Sequence, residues 1–395
     1  MRKFVFFIIL IVIISPCSCN ERDNHDKTII TGAEQIPEYL PLLKDRKIGL
    51  VINQSSMIKK MSLLDTLLSL DINVSVIFSP EHGFAGEGDP GEYIDDRQER
   101  KSGIRIISLY GKKRKPAKED INGLDMVVFD IQDVGVRFYT YISTLHYVME
   151  SCAESNVPLL VLDRPNPIGF YTDGPVLEPE YQSFLGMHPI PVVYGLTMGE
   201  LAQMINSEGW LKNSIHCKLQ VIKCENYTHS SHYNLPVDPS PNLRSMKAIY
   251  LYPTTGLFIG TEMSIGHGTD FPYLTIGHPG FKDSSFSFVP HPNLGAKNPK
   301  YDGKTCYGID LRKYALDSVR NMRKIDIGLI QMVYSKMNSS DTFFNSSFNY
   351  HAGNALFKEQ IVKGLSAEEI RKSWEPDLNK YRMLRKKYLL YPDFE

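Results

Sequence analysis

The stretch Val-Ser-Val-Ile-Phe-Ser-Pro-Glu-His-Gly-Phe, residues 74–84, joins a short apolar, β-branched run to an ionisable pair. The run at 74–78 predicts a buried strand, and Pro80 prevents that strand from continuing. Glu81 and His82 then follow at the carboxyl end, where open α/β sheets hold their ligands. The pair predicts a functional site, although a loop in which Glu81 caps a helix and His82 faces solvent would explain the same residues equally well.

Strand and helix patterns alternate on both sides of this stretch, from residue 47 to residue 221. The predicted strands are 47–52, 74–78, 104–108, 126–129 and 159–162, and the predicted helices are 63–70, 141–155 and 198–208. This alternation indicates a mostly parallel sheet with helices on both faces, a Rossmann-like α/β fold. The first strand is followed by Asn-Gln-Ser-Ser rather than by a GxGxxG loop, and no Walker loop is present, so we expect no cofactor.

The composition changes after the polar, proline-rich stretch 230–242. Aromatic residues, glycine and proline become frequent, the predicted strands are short, and helices return only at 356–362 and 367–384. We therefore expect a Rossmann-like catalytic domain at 31–230 and a smaller α+β domain at 231–395. The cleft between these two domains is the expected binding site.

The amino terminus has the pattern of an export signal. A basic start is followed by an apolar run that is too short to span a bilayer as a helix. A cysteine at the end of such a run is typical of bacterial lipoproteins, and Cys19, which follows the small Ser18, is a better lipid acceptor than Cys17. We expect a signal peptide at 1–19, a tether at 20–30 and a lipid-anchored location in the periplasm or cell envelope of a Gram-negative bacterium, with plain cleavage as the alternative.

The bulk composition argues against several classes of protein. A formal net charge of -1 at pH 7 gives no general attraction to nucleic acid. Cys152, Cys217, Cys224 and Cys306 are too widely spaced for a metal knuckle or a disulfide scaffold, and we expect lone core cysteines rather than a pair. The HxxxH, HExxH and CxxC spacings and the GxSxG elbow are absent from the sequence, so we expect neither a metal nor a serine nucleophile.

Two further predicted strands also end in polar residues. After the strands at 126–129 and 159–162 come Asp130, Asp133, Arg137, Tyr139, Arg164 and Asn166. A guanidinium in a cleft grips a substrate carboxylate with two hydrogen bonds, but a strand-end Asp also serves as a helix cap or an ion-pair partner. In the second domain, Glu262 and His267 lie in a glycine-containing segment that a tight turn would explain equally well.

Several long motifs resemble those of the exo-β-N-acetylmuramidase family, also called NamZ and formerly DUF1343. The motifs are residues 79–84 with 91–92, 108–111, 129–141, 163–167, 195–200, 239–242 and 385–391. Together they extend over nearly the whole mature chain. The chain departs from the family pattern at Glu262, where Asn or a small residue is common, and at His267, where Arg is common.

The resemblance implies an exo-acting glycoside hydrolase that releases non-reducing terminal N-acetylmuramic acid from peptidoglycan fragments during turnover or recycling of the cell wall. Glu81 corresponds to the family's catalytic glutamate, and we expect it to act as the general acid while His82 positions it or the substrate. The partner carboxylate is Asp130, Asp133 or Glu92, unless the acetamido group of the substrate takes that role.

Substrate binding is expected of seven residues in the same segments, namely Glu92, Arg137, Tyr139, Arg164, Asn166, Glu262 and His267. Arg137 or Arg164 is the expected ligand of the lactyl carboxylate of muramic acid. Two alternatives stay open: a non-catalytic surface lipoprotein that binds cell-wall fragments, and a glycosidase of the β-N-acetylglucosaminidase type.

Overall fold

The structure, a computed structural model, describes residues 28–281, 285–339 and 341–395. The predicted signal peptide with Cys19, and most of the predicted tether, lie outside these residues. Within the described ranges a central, mostly parallel sheet carries helices on both faces, and a smaller region follows it. The predicted Rossmann-like α/β fold is confirmed. No helix in the described part of the chain is long and apolar enough to cross a membrane.

The described residues form strands and helices that alternate through the first half of the chain. The strands are β1 (Ile48–Ile52), β2 (Met57–Ile58), β3 (Met61–Ser62), β4 (Val74–Ser79), β5 (Arg97–Gln98), β6 (Arg105–Ser108), β7 (Met126–Asp130), β8 (Leu159–Leu162), β9 (Asp173–Val176), β10 (Pro191–Val193), β11 (Leu219–Ile222), β12 (Thr275–His278), β13 (Phe286–Phe288) and β14 (Cys306–Asp310). The helices are α1 (Ile36–Leu43), α2 (Leu63–Ser69), α3 (Lys118–Ile121), α4 (Tyr141–Glu154), α5 (Met198–Ser207), α6 (Met246–Thr255), α7 (Leu316–Asn321), α8 (Ile327–Lys336), α9 (Phe348–Ala352), α10 (Leu356–Val362) and α11 (Ala367–Arg385).

The central sheet has seven strands in the described chain, in the order β11-β8-β7-β1-β4-β6-β5. Neighbouring strands are parallel except for β5, which pairs antiparallel with β6. The chain runs from β1 through β4 to β6 and then returns to the other side of β1 with β7. Ligands of open α/β sheets bind at such a reversal, beyond the carboxyl ends of the strands. The loops after β1, β4 and β7 therefore frame the expected site.

Each face of the central sheet packs against its own apolar cluster. On β7, Val127 and Phe129 belong to one cluster, whereas Met126 and Val128 belong to the other, as the alternation of a strand requires. The larger cluster also includes side chains of the second region, among them Trp374 of α11. The second region therefore shares a continuous core with the sheet.

The second region contains more helix than the sequence predicts. Helices return at α6, immediately after the proline-rich stretch, and not only near the carboxyl terminus. The hydroxyl of Ser245 accepts a hydrogen bond from the Ala248 N–H at 3.2 Å, which caps the first turn of α6. The small antiparallel sheet β12-β14-β13 follows.

The carboxyl-terminal segment returns to the first region. Arg385 at the end of α11 donates to the Gly195 carbonyl at 2.8 Å, and the Tyr391 hydroxyl donates to Asp163 at 2.6 Å. Because this segment packs on the Rossmann-like region, the chain after residue 231 is not spatially separate from it. The domain boundary after residue 230 stays a prediction. The cysteines of the described chain are all buried and free, as expected.

Candidate active site

Glu81 lies at the carboxyl end of β4, where Pro80 ends the strand, and is 9% exposed. The Gly91 N–H donates to its Oε1 at 2.9 Å, and the Thr140 hydroxyl donates to its Oε2 at 2.5 Å. Burial, followed by the charge of Glu81, raises the pKa of Tyr110, so the Tyr110 hydroxyl in the loop after β6 lies within electrostatic reach of this carboxyl group. The two hydrogen-bond donors come from the loop after β4 and from the start of α4. Two separate elements therefore fix the position of one carboxyl group.

His82 follows Glu81 in a strained turn. Its φ is 68°, a left-handed conformation that non-glycine residues adopt at a cost and that is common at functional sites. The ring Nδ1 lies 2.7 Å from the Gly88 carbonyl, and because a carbonyl only accepts, Nδ1 carries the hydrogen. The ring is thus tied to the loop that supplies Gly91 to Glu81, which suits a positioning role.

Four buried tyrosines form one cluster beside Glu81: Tyr139, Tyr141, Tyr252 and Tyr273. Their rings meet edge to face, with centroids 4.7 Å apart for Tyr139 and Tyr141 and 5.0 Å apart for Tyr252 and Tyr273. Burial and the charge of Glu81 raise the pKa of Tyr273, so its hydroxyl stays a hydrogen-bond donor at neutral pH. Since Tyr252 belongs to α6, the cluster joins the second region to the strand ends of the first.

A cavity of about 240 Å³ opens beside the loop that holds Glu81. Asp89 and Pro90 line it from the first region, and His267 and Lys300 line it from the second. The next residue of the same loop, Gly91, is the donor to Glu81. The cavity therefore lies in a cleft between the two regions and next to the fixed carboxyl group.

A bridge between Lys297 and the loop at 89–92 spans this cleft. The Lys297 backbone N–H donates to the Asp89 carboxylate, and its ammonium group forms an ion pair with Glu92. The contact with Lys297, and then the Asp89 N–H, lower the pKa of Glu92, so that group is ionised at neutral pH. Glu92 thus lies at the rim of the cleft, where its expected role in substrate binding stays a prediction.

His267 presents a neutral ring to the cavity. Burial, followed by the charges of Lys300 and His82, lowers its pKa to about 4. Its Nε2 has no hydrogen-bond partner among the described residues. A neutral imidazole with an open nitrogen suits a sugar hydroxyl. Glu262 lies within electrostatic reach of Lys300, and its backbone carbonyl accepts the Tyr301 hydroxyl at 2.7 Å.

Asp133 lies near the same tyrosine cluster as Glu81. Its Oδ2 accepts the Gly135 N–H at 2.6 Å and the Tyr194 hydroxyl, whereas its Oδ1 has no partner in the described part of the chain. Burial raises the pKa of Asp133 to about 7. Burial, Tyr273, and the charges of Glu81 and Asp133 together raise the pKa of Tyr252, so both carboxyl groups act on one ring. Asp133 stays a predicted partner of Glu81, with Glu92 as the alternative.

Comparison with known proteins shows that the chain is related to a glycosidase. Residues 48–247 match the family model of the N-terminal part of the exo-β-N-acetylmuramidase NamZ, and residues 250–391 match that of its C-terminal part. The chain is also 36% identical over 397 residues to the peptidoglycan β-N-acetylmuramidase NamZ of Bacillus subtilis, which covers 95% of this chain and 94% of that relative. The chain belongs to the exo-β-N-acetylmuramidase NamZ family.

Two solved structures of DUF1343 family proteins from Bacteroides fragilis have the NamZ-like fold of this chain. One is 42% identical with a TM-score of 0.87 and covers 93% of this chain and 100% of its own. The other is 28% identical with a TM-score of 0.76 and covers 92% of this chain and 99% of its own. The predicted family is therefore confirmed, and the fold extends over almost all of the chain.

The structure corrects the role expected of Arg137 in this NamZ-family site. Its side chain is fully buried, and its guanidinium donates to four backbone carbonyls at 2.7–3.0 Å, those of Pro175, Ile190, His351 and Ala352. A lactyl carboxylate cannot reach a group that is enclosed in this way. Arg137 instead ties the Rossmann-like region to the second region.

Asp130 and Arg164 are also placed differently from their expected roles. The Arg164 Nε and Nη2 donate to the two carboxylate oxygens of Asp130 at 2.5 and 2.9 Å, and Nη2 also donates to the Met57 carbonyl at 3.0 Å. Both side chains are almost fully buried. The pair holds the loops after β7 and β8 together, so neither a second catalytic carboxylate nor a free guanidinium is available here.

The two remaining predicted ligands, Asn166 and Tyr139, are both hydrogen-bonded to other parts of the chain. Asn166 is occupied on both ends of its amide, because Oδ1 accepts the Ile168 N–H at 2.9 Å and Nδ2 donates to the Leu196 carbonyl at 2.8 Å. This bonding corrects the expected substrate contact of Asn166. Tyr139 donates to the Pro239 carbonyl at 2.9 Å and packs within the tyrosine cluster.

Thr140 and Tyr110 are site residues for which the sequence predicts no role. The Thr140 hydroxyl donates to Glu81, the Tyr110 hydroxyl lies within electrostatic reach of it, and both residues lie inside motifs shared with the NamZ family, at 129–141 and 108–111. Their hydroxyls carry no catalytic signature of their own, since such groups usually pack or cap. The motif boundaries were the signal that could have found them.

Proposed function

We propose that this protein is an exo-acting β-N-acetylmuramidase, which removes the non-reducing terminal N-acetylmuramic acid from peptidoglycan fragments in cell-wall turnover. The observation that carries the proposal is the fixed carboxyl group of Glu81, held by hydrogen bonds from Gly91 and Thr140 beside an open cleft. Membership in the NamZ family indicates which glycosidic bond is cleaved and which sugar is released.

In the proposed reaction, Glu81 gives its proton to the oxygen of the leaving N-acetylglucosamine as the bond from that oxygen to the anomeric carbon breaks. Positive charge develops on the sugar ring and needs a nearby carboxylate or the acetamido group of the substrate. Water then adds to the anomeric carbon and loses a proton to a carboxylate. Asp133, Glu92 and the substrate's acetamido group are the candidates for the second role.

The decisive experiment compares wild type with Glu81→Gln on a chromogenic β-N-acetylmuraminide and on the matching β-N-acetylglucosaminide. We expect Glu81→Gln to lower kcat on the muraminide by roughly 10²–10⁴-fold, the usual contribution of a general acid. Its thermal midpoint should match that of wild type. Glu87→Gln is the matched control, because Glu87 is an exposed residue of the same loop.

Three results would contradict the proposal in different ways. Near-normal turnover by Glu81→Gln would show that Glu81 is not the general acid. Preferential release from the glucosaminide would indicate a β-N-acetylglucosaminidase. Release from neither substrate, combined with binding of muropeptides measured by calorimetry, would indicate a non-catalytic surface lipoprotein.

We also propose that the protein is exported and anchored by a lipid on Cys19. The basic start, the short apolar run and the cysteine that ends it support this location, as does a substrate that lies in the cell envelope. Metabolic labelling with a palmitate analogue should mark wild type and Cys17→Ser but not Cys19→Ser. If the label disappears only in Cys17→Ser, Cys17 is the lipid acceptor instead.

A further inference from the structure

A muramidase needs a cation that the two buried arginines do not provide. N-acetylmuramic acid differs from N-acetylglucosamine by a lactyl group, whose carboxylate lies on the same ring as the bond that breaks. Arg137 is enclosed by backbone carbonyls, and Arg164 is neutralised by Asp130. The group that recognises the carboxylate must therefore come from elsewhere around Glu81.

Arg114 is linked to the residue beside Glu81 through two aromatic rings. Its guanidinium carbon lies 4.6 Å from the centroid of the Phe184 ring, and that ring lies 5.7 Å from the ring of Tyr110. Burial and then the charge of Glu81 raise the pKa of Tyr110, while the charge of Arg114 opposes the rise. The Glu81 carboxyl group and the Arg114 guanidinium therefore both lie within electrostatic reach of one hydroxyl.

Arg114 and Lys112 are the two cations of the segment 112–115 that form no ion pair with the described residues. The neighbouring Lys113 forms an ion pair with Asp120, and Lys115 pairs with two glutamates of α4. No ion pair among the described residues includes Arg114, which is exposed. Its fork of donors is consequently free to receive a carboxylate in the two-bond geometry that arginine favours.

The ring that supports Arg114 is held firmly in place. The Ser143 hydroxyl donates to the Phe184 carbonyl at 2.8 Å, and the Tyr147 ring stacks on Phe184 with a centroid separation of 6.2 Å. Both partners belong to α4, the helix preceded by Thr140, which bonds to Glu81. One helix therefore fixes both the reacting carboxyl group and the platform of the guanidinium.

Other cations near the site are engaged differently. The ammonium group of Lys300 donates to the carbonyls of Thr261 and Met263 at 2.9 and 3.2 Å. Lys112 lies over the ring of Tyr93, in a pocket that Asp95 and Asp96 also line, so carboxylates of the protein already face it. Neither lysine offers a paired set of donors.

We propose that Arg114, supported by Phe184, binds the lactyl carboxylate of the terminal N-acetylmuramic acid and makes the enzyme specific for muramic over glucosaminyl ends. This assignment rests on the proposed function. Arg114 acts as a specificity residue, which contacts the substrate away from the bond that Glu81 cleaves. It replaces the two buried arginines in that role.

The test uses two chromogenic muraminides, one with the free lactyl carboxylate and one with that group converted to an amide. Arg114→Gln should lower kcat/KM on the acid by about 10- to 100-fold, the range of a charge-assisted hydrogen bond, and leave kcat/KM on the amide within about threefold. Arg114→Lys should recover part of the loss. Arg323→Gln is the matched control, since Arg323 is an exposed arginine that lies 5.5 Å from the Phe170 ring.

Three outcomes would overturn the assignment of Arg114: an equal loss on both substrates, no loss on the acid, or a selective loss in Lys300→Met instead. Wild type that cleaves neither substrate would instead refute the proposed function. In that event, calorimetry with free N-acetylmuramic acid decides the assignment independently. Weaker binding to Arg114→Gln than to wild type supports it, and equal binding refutes it.

Discussion

Asp133 has a carboxyl group that is more easily protonated in the folded protein than in the unfolded chain. Its pKa is about 7 in the fold, because burial disfavours the charge, against an ordinary value of 3.8. Between these two pH values the folded state keeps a proton that the unfolded state has lost. Stability attributable to this group is therefore fully present below pH 3.8 and falls as the pH rises to about 7.

Asp133→Asn should remove this pH dependence. The amide oxygen can still accept the Gly135 N–H and the Tyr194 hydroxyl, so both native hydrogen bonds survive. Between pH 4 and pH 7, we expect the free energy of unfolding of wild type to fall relative to that of the variant by at most about 1.4 kcal/mol per pH unit. Urea titrations across this range measure the difference. If the free energies of unfolding of wild type and Asp133→Asn change with pH in the same way, the raised pKa of Asp133 is wrong. Asp45→Asn, at an exposed position, serves as the control.

The arginines show what a sequence cannot reveal about single residues. Arg137 and Arg164 follow strand ends, as a substrate ligand would, and nothing local distinguishes them from Arg114. The structural role of Arg137 depends on backbone carbonyls of Pro175 and Ile190 and of the distant α9 segment. Contacts of such long sequence separation leave no trace in spacing or periodicity, so the role of this side chain could be assigned only from the fold.

At the scale of elements, the strands of the central sheet were predictable because parallel strands are buried on both faces. β7 is apolar from Met126 to Phe129, and β8 is apolar throughout Leu159–Leu162, so each stands out as a continuous run. The same rule located Glu81 and Asp133 at strand ends. The Rossmann-like half and one edge of the active site therefore followed from pattern alone.

The helices of the second region were less predictable for a physical reason. α6 contains three aromatic or proline positions among its ten residues, and every residue from Ala248 to Thr255 is buried, so the helix lacks the polar face that marks a surface helix. Its Tyr252 completes the tyrosine cluster beside Glu81. The wall that α6 builds was missed because a helix buried all round has no amphipathic signature.

At the scale of the whole molecule, the carboxyl-terminal segment fastens the second region to the first. The Tyr391 hydroxyl donates to Asp163 at 2.6 Å and accepts the Cys224 N–H at 2.9 Å. Arg385 forms two hydrogen bonds with Asp393, at 2.7 and 2.8 Å. Since the larger apolar cluster also extends through both regions, separate unfolding of the two would expose a shared core.

Tyr391→Phe should therefore destabilise the whole protein by about 1–3 kcal/mol, because it leaves the buried Cys224 N–H without its acceptor and takes one donor from Asp163. Tyr388→Phe, which removes a hydroxyl from a partly exposed contact with Glu208, should cost less. Urea unfolding followed by tryptophan fluorescence and by circular dichroism gives both quantities. We expect one coincident transition that moves to lower urea in Tyr391→Phe. Two resolved transitions would show that the two regions unfold independently. A larger loss in Tyr388→Phe than in Tyr391→Phe would contradict the importance given to the buried Tyr391 contacts.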